Sequence, residues 1–189
     1  MTICRKEKTE NAGSKPDCII CRKISRTNTT PAAAERKKKM KIAIGCDPNA
    51  QKEKEQMIAY LTKKGYGEVT DFGSEDPIYA HTAIAVAEAV ASGQFDRGVL
   101  LCGTGLGVSI AANKVRGAYA AVVSDVYSAQ RARLSNDANI LCMGAFTTGA
   151  KVRELLADAF FTNEFVPGCS SQPKVDAYHE YDMNREGKA

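Results

Sequence analysis

The chain has 189 residues, of which 44% are hydrophobic and 25% charged, a composition typical of one globular domain with room for a small additional segment. No apolar run approaches the roughly 20 residues of a membrane-spanning helix, and the charged N-terminus lacks the apolar stretch of a signal peptide. The net charge of +4 hides an asymmetry, because residues 1–40 hold 11 Lys/Arg and 4 Asp/Glu whereas the remainder holds 15 and 18. A basic tail is therefore joined to a mildly acidic body.

Residues 1–39 are predicted to be a disordered basic extension, because they are polar and show no apolar periodicity. Cys18 and Cys21 form a single CxxC without a second pair of ligands, which favours chance or weak metal affinity over a structural zinc site. The lysines at 37–39 fit a solvated tail better than a nucleic-acid contact. The folded domain is expected to span residues 40–189.

From Met40 onward, short apolar runs alternate with amphipathic or alanine-rich segments. The predicted strands are 41–46, 67–73, 97–102, 118–124 and 138–144, and the predicted helices are 50–64, 79–92, 106–114, 126–134 and 148–162. Continuously apolar strands separated by helices predict a parallel sheet that is covered on both faces. We therefore expect a Rossmann-like three-layer α/β/α sandwich with five parallel strands, whose ligands bind beyond the carboxyl ends of the strands.

Seven cysteines are an odd number with no regular framework, which indicates free thiols in a reducing, cytoplasmic compartment. Cys46, Cys102 and Cys142 lie in apolar strand-like runs, where buried free thiols belong. Cys102 is distinguished from the other two because a glycine-rich loop follows it directly.

That loop, "CGTGLG" at residues 102–107, follows the third predicted strand and leads into a helix. Backbone N–H groups of such a loop converge, and the helix dipole favours negative charge. A dinucleotide fingerprint needs G-x-G-x-x-G after the first strand, and Val108 stands where a cysteine phosphatase needs arginine. The third use is an oxyanion or enediolate cradle with Cys102 as base or nucleophile, since a helix N-terminus favours the thiolate. A plain buried Cys102 is the structural alternative.

Four segments together resemble the family of ribose-5-phosphate isomerase B and the galactose-6-phosphate isomerase subunits: "GCD", "CGTGLGVSIAANKVRG", "YSAQRARLSNDANILCMG" and "PKVDAY". The resemblance covers residues 40 to about 182. It implies aldose–ketose isomerisation of a phosphosugar through a cis-enediol(ate), without a metal or organic cofactor. It also implies a homodimer or a dimer of dimers with shared active sites, in which a C-terminal helix within 168–182 reaches the neighbouring subunit.

By this resemblance Cys102 is the base and Thr104 positions or relays a proton. Asp47 matches an active-site aspartate, although it is equally suited to cap the helix that begins near residue 50. Charge that develops on the carbonyl oxygen is expected to be stabilised by amides of the glycine loop. The predicted substrate-binding residues are Gly103, Gly105, Leu106, Gly107, Ser135, Asn136 and Lys174.

Asn136 matches an asparagine that holds sugar hydroxyls, but residues 135–139 could equally shape a turn. Lys174 keeps a basic position of the C-terminal segment and is the candidate for a phosphate contact across the dimer, with a solvated surface lysine as its alternative. His81 and His179 lie on helical segments and are expected to be surface or interface residues.

The sequence departs from the ribose enzymes of this family at several positions. Those enzymes commonly carry Asp-His after the first strand and His-Asn-Asp before the fifth, where this chain has Asp47-Pro48 and Ser135-Asn136-Asp137. The histidine missing at Ser135 is the group credited with opening the furanose ring. Phe146 and the stretch 168–170 stand where family arginines grip phosphate.

The missing ring opener favours a substrate that has no ring. A four-carbon sugar esterified at O4 cannot close a furanose through that oxygen, whereas ribose 5-phosphate can. We therefore predict a tetrose phosphate, erythrose or erythrulose 4-phosphate. Ribose 5-phosphate, a galactose-6-phosphate isomerase-type subunit and a non-catalytic phosphosugar-binding protein are the alternatives.

Overall fold

The structure of the protein is a computed structural model that describes residues 39–185. Most of the predicted extension, with Cys18 and Cys21, lies outside the described residues, so the domain boundary at residue 40 stays a prediction. All described cysteines (46, 102, 142 and 169) are free. Within residues 39–185, no helix is both long enough and apolar enough to cross a membrane.

Five strands form one parallel sheet in the order β2-β1-β3-β5-β4, which confirms the predicted α/β architecture. The strands are β1 (Met40–Cys46), β2 (Gly67–Asp71), β3 (Arg97–Cys102), β4 (Ala120–Val122) and β5 (Ile140–Gly144). The helices are α1 (Gln51–Lys64), α2 (Tyr79–Ala91), α3 (Leu106–Ala112), α4 (Val126–Leu134), α5 (Ala150–Phe161) and α6 (Gln172–Met183). A short 3₁₀ helix, Pro48–Ala50, joins β1 to α1.

Helices cover both faces of the sheet, as the apolar strands require. Leu61 of α1 and Phe160 of α5 belong to the core on one face, which α4 also covers. Val86 of α2 and Val108 of α3 belong to the core on the other face. The three layers are therefore α1, α4 and α5, then the sheet, then α2 and α3.

Several elements are shorter than the sequence pattern predicts, and β4 and α3 show why. β4 is an edge strand that pairs only with β5, through three residues, and the flanking Tyr119 and Val123 each keep a backbone hydrogen bond to β5. α3 ends at Ala112 because the Asn113 side chain hydrogen-bonds the backbone at the end of the helix. The Nδ2 of Asn113 donates to the Ser109 carbonyl at 2.9 Å, and its Oδ1 accepts the Ala120 N–H at 2.9 Å. This asparagine therefore binds the end of α3 to the start of β4.

The C-terminal helix α6 packs against the amino ends of the strands of its own chain. The Tyr178 hydroxyl donates to the Asn136 carbonyl, and the Asp182 carboxylate accepts the Gly117 N–H at 2.7 Å. The predicted reach of this helix to a neighbouring subunit stays a prediction.

The chain reverses its direction of travel across the sheet between β1 and β3. From β1 it moves outward to β2, and it then returns to place β3 on the other side of β1. The Asp47 N–H donates to the Leu101 carbonyl at 2.9 Å, which joins the carboxyl ends of these two strands. Ligands of open α/β sheets bind in the crevice at such a switch point.

Candidate active site

The glycine loop is held in place by the neighbouring strand β5. Gly105 has φ +80°, and a Cβ added there would lie 3.0 Å from the carbonyl carbon of Met143. The N–H groups of Ala145 and Phe146 donate to the carbonyls of Cys102 and Gly103 at 2.8 and 2.9 Å. The loop therefore needs glycine at residue 105 for its backbone conformation and for its close approach to β5.

Cys102 ends β3 and places its sulfur under this loop. The side chain is 6% exposed, and its Sγ accepts the Gly105 N–H at 3.1 Å. Burial raises the pKa of Cys46 to about 11 and also raises the pKa of Cys142. Those two cysteines therefore remain neutral core thiols near pH 7, and Cys102 is the thiol that faces the loop.

Several amides of the loop are available to a ligand. Within residues 39–185, the N–H groups of Gly103, Thr104 and Gly107 have no protein acceptor. The Leu106 N–H points at the Thr104 hydroxyl at 3.4 Å, and the Leu106 side chain is 57% exposed. Unpaired N–H groups on one tight turn can donate to a single oxygen that carries negative charge.

Asp47 stands beside this loop at the switch point and also caps the 3₁₀ helix. Its Oδ1 accepts the Asn49 N–H at 2.8 Å, so it caps this 3₁₀ helix and not α1, whose N-cap is Ala50. The side chain is half-buried, and within the described residues its second oxygen has no protein partner. Capping therefore leaves one carboxylate oxygen that can face the crevice.

Two aromatic rings border the loop. A Cβ on Gly107 would lie 2.6 Å from the Tyr79 ring, and one on Gly103 would lie 3.0 Å from the Phe146 ring. Phe146 follows β5 directly and is 75% exposed. The sequence indicated Phe146 only as a position where the family has an arginine. It did not indicate Tyr79, whose contact with the loop is reflected in the sequence only by the glycine at 107.

The remaining predicted binding residues lie at the other end of the sheet. Ser135 ends α4, and Asn136 precedes β5, whose first residue pairs with Gly98 at the start of β3. Cys102 is four residues further along β3, about 13 Å at the usual rise per residue. One chain therefore does not bring Ser135 and Asn136 to Cys102.

Lys174 belongs to the same distant end. It is exposed in the first turn of α6, four residues before Tyr178, so the two residues share one face of the helix. Tyr178 in turn bonds the Asn136 backbone. Lys174, Ser135 and Asn136 therefore form the amino-end group, opposite the carboxyl-end group of Cys102, Thr104 and Asp47.

The two histidines differ in their surroundings. His81 is exposed, as predicted, and its Nδ1 lies 2.9 Å from the Asp76 carboxylate. His179 is half-buried, and its ring stacks on Tyr119 with 4.4 Å between the centroids, so its place at a surface or an interface stays a prediction. Its Nε2 is buried without a partner in the described part of the chain. Three or more His, Cys, Asp or Glu side chains suited to hold a metal ion do not converge anywhere in residues 39–185.

A doubly wound sheet with a cysteine and a glycine loop at its switch point defines an α/β enzyme that handles a small anionic ligand. Residues 42–178 match the family described as Ribose/Galactose Isomerase. The chain belongs to this family, a family of sugar-phosphate isomerases, and the predicted resemblance is confirmed.

Curated relatives with similar sequence identity to this chain are named for different substrates. A ribose-5-P isomerase B of Listeria innocua is 46% identical over 147 residues, which cover 76% of this chain and 98% of that protein. A D-erythrulose-4-phosphate isomerase of Pectobacterium atrosepticum is 43% identical over 148 residues, covering 75% and 96%. The solved ribose-5-phosphate isomerase B of Clostridium thermocellum superposes with a TM-score of 0.71 at 40% identity, covering 76% and 98%.

The loop geometry predicts that Gly105→Ala impairs both stability and activity. Gly93 has a similar φ of +76° with no atom near its Cβ position, so Gly93→Ala is the matched control for backbone strain alone. The control is expected to lose about 1–2 kcal/mol in the free energy of unfolding. Gly105→Ala is expected to lose more, because the obstructing atoms belong to the β5 backbone. Urea denaturation of both variants measures this, and equal losses would contradict the close-approach argument.

Proposed function

We propose that this sugar-phosphate isomerase interconverts an aldose phosphate and a ketose phosphate through a cis-enediolate, with Cys102 as the base. The observation that carries the proposal is the sulfur of Cys102 lying beneath a turn whose neighbouring amides are unpaired. Proton transfer at carbon needs a base next to the substrate and donors where the negative charge develops. The carboxyl end of β3 supplies both.

In the aldose-to-ketose direction, the Cys102 thiolate takes the proton from C2, and the electron pair of that bond forms the C1–C2 double bond. The C1 carbonyl becomes an enediolate oxygen, which the amides of Gly103 and Gly107 stabilise. The thiol then returns its proton to C1, while the O2 proton passes to O1. Thr104, whose hydroxyl lies at the open side of the loop, is suited to relay that proton, and Asp47 is suited to hold a substrate hydroxyl.

Cys102→Ala is expected to lower kcat at least about 100-fold, because a general base contributes roughly 10²–10⁴ to the rate. Cys142→Ala is the matched control, since that buried thiol lies on the next strand and faces the same core cluster. The control should lose stability but retain turnover per folded molecule. The readout is exchange of the C1 and C2 protons in deuterated water. A Cys102→Ala enzyme with more than about a tenth of wild-type turnover would exclude the thiolate base.

We further propose that a complete site is formed by two chains. The carboxyl-end and amino-end groups are too far apart within one chain to hold one small sugar. A two-fold axis at right angles to the strands makes the sheets of two chains antiparallel. It therefore places the amino end of one sheet beside the carboxyl end of the other.

The edge of the sheet at β4 offers a surface for this pairing. Large apolar side chains are exposed on the three elements at this edge: Leu106 and Ile110 on α3, Val122 on β4, and Val126 and Tyr127 on α4. An exposed apolar patch at an open strand edge is typical of an interface. Leu106 is also part of the glycine loop, so a chain that docks here lies next to Cys102.

Mixing Cys102→Ala chains with Lys174→Ala chains tests the shared site. If Lys174 contacts phosphate in the site of its partner, a mixed dimer has one site with both lesions and one site with neither. Activity is then expected to rise above that of either parent after subunit exchange. Exchange is verified by mass spectrometry of differently tagged chains, and no recovery despite exchange would argue for sites made within one chain.

For the substrate we propose a tetrose phosphate, erythrose or erythrulose 4-phosphate. Ser135 occupies the position of a ring-opening histidine, and a serine hydroxyl is a poor acid near pH 7. A sugar whose O4 carries the phosphate needs no ring opener, and a relative at 43% identity is named for erythrulose 4-phosphate. Ribose 5-phosphate is the second candidate, because a relative at 46% identity is named for it.

A substrate panel decides between the two candidates. Wild-type enzyme is expected to show a far higher kcat/KM for erythrose or erythrulose 4-phosphate than for ribose 5-phosphate. Ser135→His should improve turnover of ribose 5-phosphate selectively, since only that sugar has a ring to open. The rescue should be partial, because Pro48 and Phe146 still differ from the ribose pattern. If ribose 5-phosphate is the best substrate of the wild-type enzyme, the tetrose assignment is wrong.

A further inference from the structure

One arginine of the described chain has no partner. Residues 39–185 contain six arginines, at positions 97, 116, 131, 133, 153 and 185. Five of them donate to backbone carbonyls, and two of these five also pair with carboxylates. Within this part of the chain, the Arg131 guanidinium alone makes neither a hydrogen bond nor an ion pair. An arginine without a partner beside a cavity is free to bind a ligand.

Arg131 lines a cavity of about 400 Å³ along the edge of β4. The other polar side chains of this cavity are those of Asn113, Tyr119, Ser128, Asn136 and Tyr178. No carboxylate is among its lining residues, and the nearby Asp125 is turned away to cap α4 through the Ser128 N–H at 2.8 Å. Arg131 is therefore the only charged group in the lining, which makes the cavity selective for an anion.

The neighbouring groups are already fixed in ways that leave the guanidinium available. The Tyr178 hydroxyl donates a hydrogen bond to the Asn136 carbonyl, which holds the backbone of Asn136 in place. The Tyr119 hydroxyl donates to the Asp182 carboxylate at 3.3 Å, and Asp182 itself does not line the cavity. The Asn136 side chain remains exposed at the rim. Arg131 and Asn136 can thus both donate to one ligand.

A second cavity with basic residues lies between α1 and α5, and its charges are largely satisfied. Lys64 pairs with Asp158 at 3.0 Å, and Lys151 pairs with Glu154 at 2.7 Å. Arg153 there donates to the Thr148 carbonyl. The β4 cavity is therefore the better anion site of the two.

We propose that Arg131 is the cation that binds the phosphate group of the substrate. This rests on the proposed function, because the cavity includes Asn136 and would complete the Cys102 site of the partner chain. A guanidinium donates two parallel hydrogen bonds to two oxygens of a phosphate monoester, which a lysine cannot do. Arg131 thereby anchors the substrate, and Lys174, on the same face of α6 as Tyr178, adds a second positive charge.

The test compares Arg131→Gln and Arg131→Lys with Lys52→Gln, which removes one exposed positive charge from α1, near the opposite lateral edge of the sheet from β4. Arg131→Gln is expected to raise KM for the best phosphosugar of the panel, and Ki for inorganic phosphate, by about ten- to a hundredfold. Arg131→Lys should recover part of this loss. Turnover of the same sugar without its phosphate should be unchanged in all three variants. Lys52→Gln should match the wild type throughout.

Inorganic phosphate binding is also measured by calorimetry, which does not depend on turnover. If the wild-type protein is inactive on every phosphosugar but binds phosphate, and this binding weakens in Arg131→Gln, the anion site is supported and the proposed function is overturned. An active enzyme with unchanged KM and Ki in Arg131→Gln would overturn the assignment of Arg131 alone. The assignment is equally wrong if Arg131→Gln dissociates the assembly in sedimentation, since Arg131 then serves the interface. Wild-type protein that binds no phosphate by either measurement also overturns it.

Discussion

The contact between Gly105 and the carboxyl end of β5 is the constraint on which the site depends. With φ +80° and the Met143 carbonyl carbon 3.0 Å from its Cβ position, Gly105 brings the loop onto the strand end with no space between them. This contact turns the Gly105 N–H toward the sulfur of Cys102 and leaves the adjacent amides unpaired. A loop that is rigid before the substrate arrives needs no reorganisation when negative charge develops.

The same sheet also explains why the predicted site residues lie in two separate groups. The carboxyl ends of parallel strands all lie at one end of the sheet, so Asp47 and Cys102 meet at the switch point between β1 and β3. Each connecting helix runs back to the amino end of the next strand, so Ser135 and Asn136, which follow α4, lie at the opposite end of the sheet. α6 also packs at the amino end of the sheet. The proposed second copy, turned antiparallel, would combine the two ends in one site.

Charge is distributed in keeping with this division. The carboxyl end carries amides and a thiol, which suit a developing enediolate but do not hold a phosphate dianion strongly. The amino end carries Arg131 and Lys174, which suit a phosphate group and have no part in moving a proton. In the proposed two-chain site, a short phosphosugar would have its reactive carbons at one chain and its phosphate at the other.

The sequence by itself determined the strand and helix order, since continuously apolar runs and amphipathic periodicity are local properties. It also located Cys102 on a glycine turn, because only glycine accepts the conformation of residue 105. The early end of α3 depended on Asn113 reaching Ala120, and the Tyr79 ring over Gly107 joins residues far apart in the chain. The separation of Asn136 from Cys102 and the unpartnered Arg131 were likewise decided only by the tertiary structure. Both depend on which ends and side chains the sheet brings together, and no local pattern records that.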